Sequence, residues 1–290
     1  MASTDLDSDE FEVELEEMGE EGNSFRTQND PSSPLQRSNI VERKGAIRVS
    51  CTARDVVHGY LNNGTGYATL IVHDFQFNRQ PTARRIVRVD IEFTYYSANG
   101  VPPEVISVAP YGQLELVQTS QTESKARSTT ISTGANGLGA QAGVDHKWET
   151  FISRETTDAT TIHGGMCLTN RNYGKYNTAY WTLLENESAA TGVPAHLRVA
   201  ILLKRHDETE FQCQFKIIVR AKLISELKNL FGSRPKDDPI LYDPTLPATN
   251  VLRQYDLQNL GAVRLHELTV VEFTNDQEEA ARMLQRQNAM

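Results

Sequence analysis

Hydrophobic and polar residues alternate most cleanly in the stretch that begins at Arg85. Val87, Val89, Ile91, Phe93 and Tyr95 share one parity, and Arg88, Asp90, Glu92 and Thr94 share the other. A period of two puts the first set on one face of an extended chain, so this stretch predicts a half-buried strand. The turn formers Asn99, Gly100, Pro102 and Pro103 close it. Upstream, Tyr67 to Phe77 is rich in β-branched and aromatic residues and predicts another strand. Val105 to Ala109 and Gln113 to Thr119 predict two shorter ones, on either side of Pro110-Tyr111-Gly112.

Further on, strands are predicted at Ala179 to Leu184, Leu197 to Leu203 and Phe211 to Val219. In the last of these, Phe211, Cys213, Phe215 and Ile217 alternate with Gln212, Gln214 and Lys216. The polar run Lys204 to Glu210 reads as a turn joining two antiparallel neighbours. Helical spacing is scarce. Leu223, Ile224, Leu227, Leu230 and Phe231 recur three and four residues apart, which predicts a short amphipathic helix over 221–231, with Gly232 as its cap. Four prolines between Pro235 and Pro247 mark a linker. A strand over Val263 to Phe273 follows, and then a final helix, whose capping box is Thr274 to Gln277 or Asn275 to Glu278.

These elements predict an all-β protein, mainly an antiparallel β-sandwich, with one or two short helices near the C-terminus and a disordered acidic N-terminus. The expected organisation is a tail over 1–45, a sandwich over 46–220, and an extension over 221–290 that packs back onto it. The extension is too short to hold a core of its own.

Charge changes the picture only at the start of the chain. The net charge of −9 comes from ten acids before residue 26 (Asp5, Asp7, Asp9, Glu10, Glu12, Glu14, Glu16, Glu17, Glu20 and Glu21), where no Lys or Arg occurs. Without those ten, 28 acids face 29 bases, so the rest of the chain is nearly neutral. A neutral body lacks the field that draws in nucleic acid, and no nucleic-acid partner is expected. Cys51, Cys167 and Cys213 are odd in number and widely spaced, which reads as buried free thiols. With neither an apolar leader nor an eighteen-residue apolar run, the sequence predicts a cytoplasmic protein, with the nucleus as the alternative.

One segment has a texture of its own. Nine Ser or Thr residues lie between Thr119 and Thr133, followed by Gly134, Gly137, Gly139 and Gly143. Leu138, Ala140, Ala142 and Val144 then alternate with Gly139, Gln141, Gly143 and Asp145, and Phe151 to His163 supplies a return strand. One reading is a long hairpin whose glycines let it lie closely on another sheet. The other is a membrane-inserting hairpin spanning 119–169, with Leu138, Ala140, Ala142 and Val144 facing lipid, because barrel walls alternate apolar and polar residues along each strand.

Candidate chemistry is sparse. Gly137-Leu-Gly139-Ala-Gln-Ala142 has the spacing of a dinucleotide fingerprint but lacks the apolar strand before it and the helix after it. The seven histidines show no metal-ligand spacing, and no cofactor is implied. A catalytic site would have to be assembled from distant residues, with Cys167 beside His163 or His146 as the pair to examine. A binding surface is easier to name. Arg171, Asn172, Tyr173, Lys175 and Tyr176 form a loop of the composition that makes good contacts, while Tyr180 and Trp181 begin a core strand. Arg79, Arg84, Arg85 and Arg88 form a small basic patch. The leading reading is a non-catalytic module that binds a protein or small molecule through that loop. A pore-forming protein is the alternative, an enzyme the third, and the oligomeric state stays open.

Overall fold

The computed structural model describes residues 26–43, 47–79, 83–97, 100–130, 147–223, 237–249 and 252–274. In order, the strands are β1 Asn39–Arg43, β2 Ile47–Asn62, β3 Thr65–Arg79, β4 Ala83–Tyr96, β5 Glu104–Ala109, β6 Gly112–Thr130, β7 Lys147–Cys167, β8 Thr178–Leu184, β9 His196–Arg205, β10 Phe211–Leu223, β11 Ile240–Tyr242 and β12 Val270–Glu272. They form two six-stranded sheets in a sandwich. The first runs β1-β2-β3-β9-β12, with β5 also on β9, and the second runs β11-β10-β4-β8-β7-β6. All pairings between these strands are antiparallel.

Between the sheets lies an apolar core in which β-branched and aromatic side chains interdigitate. Phe75 of β3 meets Phe93 of β4 edge-on, and Phe93 in turn meets Trp181 of β8 and Phe215 of β10. A second core lies on the outer face of the first sheet. There Val57, Leu70, Val72 and Leu202 are covered by Leu260, Leu265 and Leu268 from the C-terminal segment. Two cores explain why β3 and β9 read as nearly unbroken apolar runs rather than alternations, since both their faces are buried.

The C-terminal segment is held by specific contacts. At the Arg54–Asp55 bulge of β2 the parity of the strand flips, so Val56 faces the inner core and Asp55 the outer face. Asp55 is fully buried, and accepts bonds from the Leu252 amide and the Tyr255 hydroxyl. Burial raises its pKa despite these donors. Beside it the Tyr60 amide donates to the Leu257 carbonyl at 2.7 Å, and a Cβ on Gly59 would fall 2.4 Å from that same oxygen. Only glycine allows the segment to come so close.

Several expectations are corrected by these contacts. Val87 is only half-buried, because a bulge shifts the β4–β10 register beside it and turns Ile86 inward instead. The turn over Lys204 to Glu210 does not join sheet neighbours. It carries the chain from β9 in one sheet to β10 in the other, where β10 pairs with β4. The helix expected over 221–231 begins in strand, since Ala221 to Leu223 continue the ladder against β4, and its remainder lies outside the described residues. Val263 to Phe273 is a strand only over β12. Short 3-10 turns at Leu260–Ala262 and Leu265–Leu268 precede it and lay leucines on the outer core. The residues after Thr274, where the final helix is expected, also lie outside the described residues.

Residues 26–43, placed in the tail by composition, are part of the fold. Ile40 and Val41 of β1 are fully buried. Arg43 forms a 2.6 Å ion pair with Asp237, and Arg37 donates to the Asp238 carbonyl and to Asn29. A polar stretch can be ordered by such long-range partners, which local composition does not reveal.

His73 of β3 sits in the inner core, fully buried and stacked on Phe93 at 4.3 Å between ring centroids. Neither ring nitrogen has a hydrogen-bond partner among the described residues, and burial lowers its pKa from 6.5 to about 3. As pH falls below 6.5 the unfolded chain takes up a proton that the folded chain refuses. His73 therefore removes stability progressively from about pH 6.5 down to about pH 3. Replacing it by leucine should shrink the stability difference between pH 7 and pH 4 by about 3 kcal/mol. Urea unfolding at the two pH values measures this.

Candidate functional site

The two longest strands, β6 and β7, pair with each other. Only the end of β7 also pairs with β8, from Thr161 opposite Leu184 to Cys167 opposite Thr178. Beyond that, twelve residue pairs run from Thr119↔Asp158 to Thr130↔Lys147 as a two-stranded ribbon. At about 3.4 Å per residue each strand of it extends roughly 40 Å. As far as Thr130, the Ser/Thr-rich stretch is thus no separate element but the continuation of the strand begun at Gly112. The register slips between Leu116 and Thr119, where Val117 and Gln118 oppose Ala159 alone. This bulge lies where the ribbon leaves the three-stranded part of the sheet.

Below the bulge the packing is tight. The Trp181 indole N–H donates to the Pro110 carbonyl at 2.9 Å, within the core. A Cβ on Gly164 would lie 2.0 Å from that oxygen and 2.6 Å from the indole nitrogen, so a glycine is required there. Gly112 turns the chain into β6 with φ of +74°.

A rigid bracket stands beside the root of the ribbon, in the segment that links β8 to β9. The buried Glu185 carboxylate accepts from Arg85 at 2.6 Å and from the Gly192 amide. The Glu185 and Val193 amides bond the carbonyls of Val87 and Ile86 on β4. From this bracket, Asn186 donates through Nδ2 to the Asp158 carbonyl at 3.1 Å, and Ser188 donates through its hydroxyl to the Asp158 carboxylate.

The loop between β7 and β8 is the second candidate. Asn177 is buried and pairs reciprocally with Thr169: its Oδ1 accepts from the Thr169 amide and its Nδ2 donates to the Thr169 carbonyl. Asn170 adopts φ of +60° and donates to the Tyr96 hydroxyl. Arg171 donates to the Lys175 carbonyl, and Lys175 lies 3.6 Å from Glu104. The Val105 amide donates to the Tyr176 carbonyl. Against this fixed backbone Tyr173 is 80% exposed and Tyr176 48%, and Asn172 is exposed as well. Trp181 is fully buried, as expected for the start of a core strand.

Other candidates are dispersed by the fold. In the expected basic patch, Arg85 and Arg88 are engaged by Glu185 and Asp90. His163 and Cys167 lie four residues apart along β7, about 13 Å for an extended chain, too far for a nucleophile and its base. Burial also raises the pKa of the Cys167 thiol, which keeps it protonated. Cys51 and Cys213 are buried free thiols, whereas Cys167, expected to be buried with them, is only partly so. His146, Leu138, Ala140, Ala142 and Val144 lie outside the described residues. The Asp158 bracket was missed in the sequence. Its only trace there is Asn186-Glu-Ser188, which reads equally well as a glycosylation sequon.

No family model matches this chain, and no curated protein matches it significantly. Among solved structures it is similar to the Clostridium perfringens delta-toxin at 9% identity and a TM-score of 0.26, over 72% of this chain and 92% of the toxin. A structure described as a pore forming protein matches at 7% identity and a TM-score of 0.30, over 73% and 88%. The Clostridium perfringens NetB toxin in its membrane inserted form matches at 5% and 0.22, over 73% and 85%. At such TM-scores these likenesses carry no functional argument; the geometry of the chain itself has to supply one.

Proposed function

We propose that this chain is a pore-forming protein whose copies assemble through the β6–β7 ribbon. The observation that carries the reading is the ribbon's twelve pairs beyond the reach of β8. A lone two-stranded hairpin is marginal in water, and both its edges present backbone groups without a ladder partner among the described strands. Neighbouring copies would satisfy those edges, and a closed barrel removes them altogether. Length fits as well: a tilted barrel strand needs about nine to eleven residues to cross a bilayer. Along β6 the sequence alternates Ser120, Thr122, Ser124, Ala126, Ser128 and Thr130 with Gln121, Glu123, Lys125 and Arg127. A barrel wall sorts residues by parity, and here small hydroxyl residues and alanine share one parity while an amide and charged side chains share the other.

The test is release of calcein from phosphatidylcholine vesicles, with and without sterol. Replacing residues 119–158 with a short turn should abolish release while the melting temperature of the sandwich stays within a few degrees. Leu138→Asp or Val144→Asp, chosen from the sequence alternation, should lower release at least tenfold. A full-length protein that binds vesicles without releasing dye, or leaks unchanged after the replacement, sinks the reading.

A second reading is favoured by the exposure of Tyr173 on a loop whose backbone is tied down at both ends. Tyrosines on a rigid loop supply contact area at low entropic cost, which suits a docking surface for a protein or small-molecule partner. Tyr173→Ala combined with Tyr176→Ala should leave the melting temperature unchanged and weaken a captured partner at least tenfold. Vesicle leakage that persists in the same variant would separate the two surfaces.

A further inference from the structure

We infer that Asp158 is the catch that holds the β6–β7 ribbon to the sandwich, and that the Val117–Gln118 bulge is the hinge about which the ribbon moves once the catch opens. This deepens the pore-forming reading above and rests on it. Three observations meet at one level of the molecule. The ladder to β8 ends at Thr161. The β6–β7 register slips between Leu116↔Thr160 and Thr119↔Asp158. Asp158 itself is gripped twice, at its carbonyl by Asn186 and at its carboxylate by Ser188.

The receiving side is built to stay still. Asn186 is fully buried, and its Oδ1 accepts from the Ala189 amide at 2.9 Å while its carbonyl accepts from the Ala190 amide at 2.8 Å. The Arg85–Glu185 ion pair and the two backbone bonds to β4 anchor the same segment to the second sheet. On the moving side, a bulge supplies bending because the extra residue interrupts the ladder and increases the local twist. A hydrogen bond to a charged carboxylate is among the stronger single contacts, yet one small rearrangement breaks it. A strong, local and breakable contact beside a bent ladder is what a release device requires. The catch therefore sets how readily the ribbon leaves its resting position, and Ser188 controls it from the opposite side.

Ser188→Ala removes the donating hydroxyl and leaves Asn186 in place. In the full-length protein, amide hydrogen exchange in peptides covering 116–122 and 155–160 should accelerate about tenfold, the factor expected for losing one charge-assisted bond. Peptides from β9 and β10 should not change. Calcein release from phosphatidylcholine vesicles should begin correspondingly earlier. Ser188→Thr, which retains a hydroxyl, should restore both readouts toward the parent. Unchanged exchange at the ribbon root in Ser188→Ala overturns the catch, whether or not the vesicles leak. Faster exchange in a protein that never permeabilises vesicles supports the catch and overturns the pore-forming reading instead.

Discussion

The contact between the sheets governs everything else in this molecule. Phe75 and His73 of β3 meet Phe93 of β4, and Phe93 reaches Phe215 and Trp181 on the strands to either side. Aromatic side chains of this size bury the largest areas in the core, and their mutual geometry fixes the sheets face to face. With β4 and β8 so placed, β7 is set by its ladder to β8, and β6 by its ladder to β7. The ribbon that leaves the sandwich is therefore aimed by a core several strands away.

Stability is unevenly distributed as a consequence. Strands β3 and β9 are buried on both faces, and the C-terminal segment covers the outer one through leucines and the Asp55 contacts. The far part of the β6–β7 ribbon rests on a ladder of its own, with no third strand beside it among the described residues. A protein that opens in part does so where buried contacts are fewest. The register slip and the Asp158 bracket both sit on the border between the two regimes. An inner core that contains an uncharged histidine without hydrogen-bond partners among the described residues adds a sensitivity to acid, borne by the most deeply buried part of the fold.

Much of this was legible in the residues. Period-two burial located most of β4 and β10, because inward and outward positions differ in polarity wherever one face meets the core, while β8 and β9 were legible as short apolar runs. It failed wherever a bulge changed the parity. Alternation puts Val87 on the inward face, whereas the shifted register leaves it half-buried and buries Ile86. It failed also for the turn after β9, since a polar loop looks alike whether it joins neighbours in one sheet or crosses between two. Tyr173 and Tyr176 are exposed and Trp181 is buried, a contrast legible in the apolar context around Trp181 that marks a core strand.

By itself the sequence determined the class of fold, the positions of many of its strands though not of β1, β2 or β11, the burial of two of its thiols and the unusual texture of the segment after Thr119. All of these depend on local alternation and composition, which a chain carries with it before it folds. Only the tertiary structure decided which strands pair, that residues 26–43 belong to the fold, and that Asp158 meets Asn186 and Ser188. Those contacts join residues 28 to some 200 positions apart. Their partners are chosen by the packing of two sheets, and no local period records that choice.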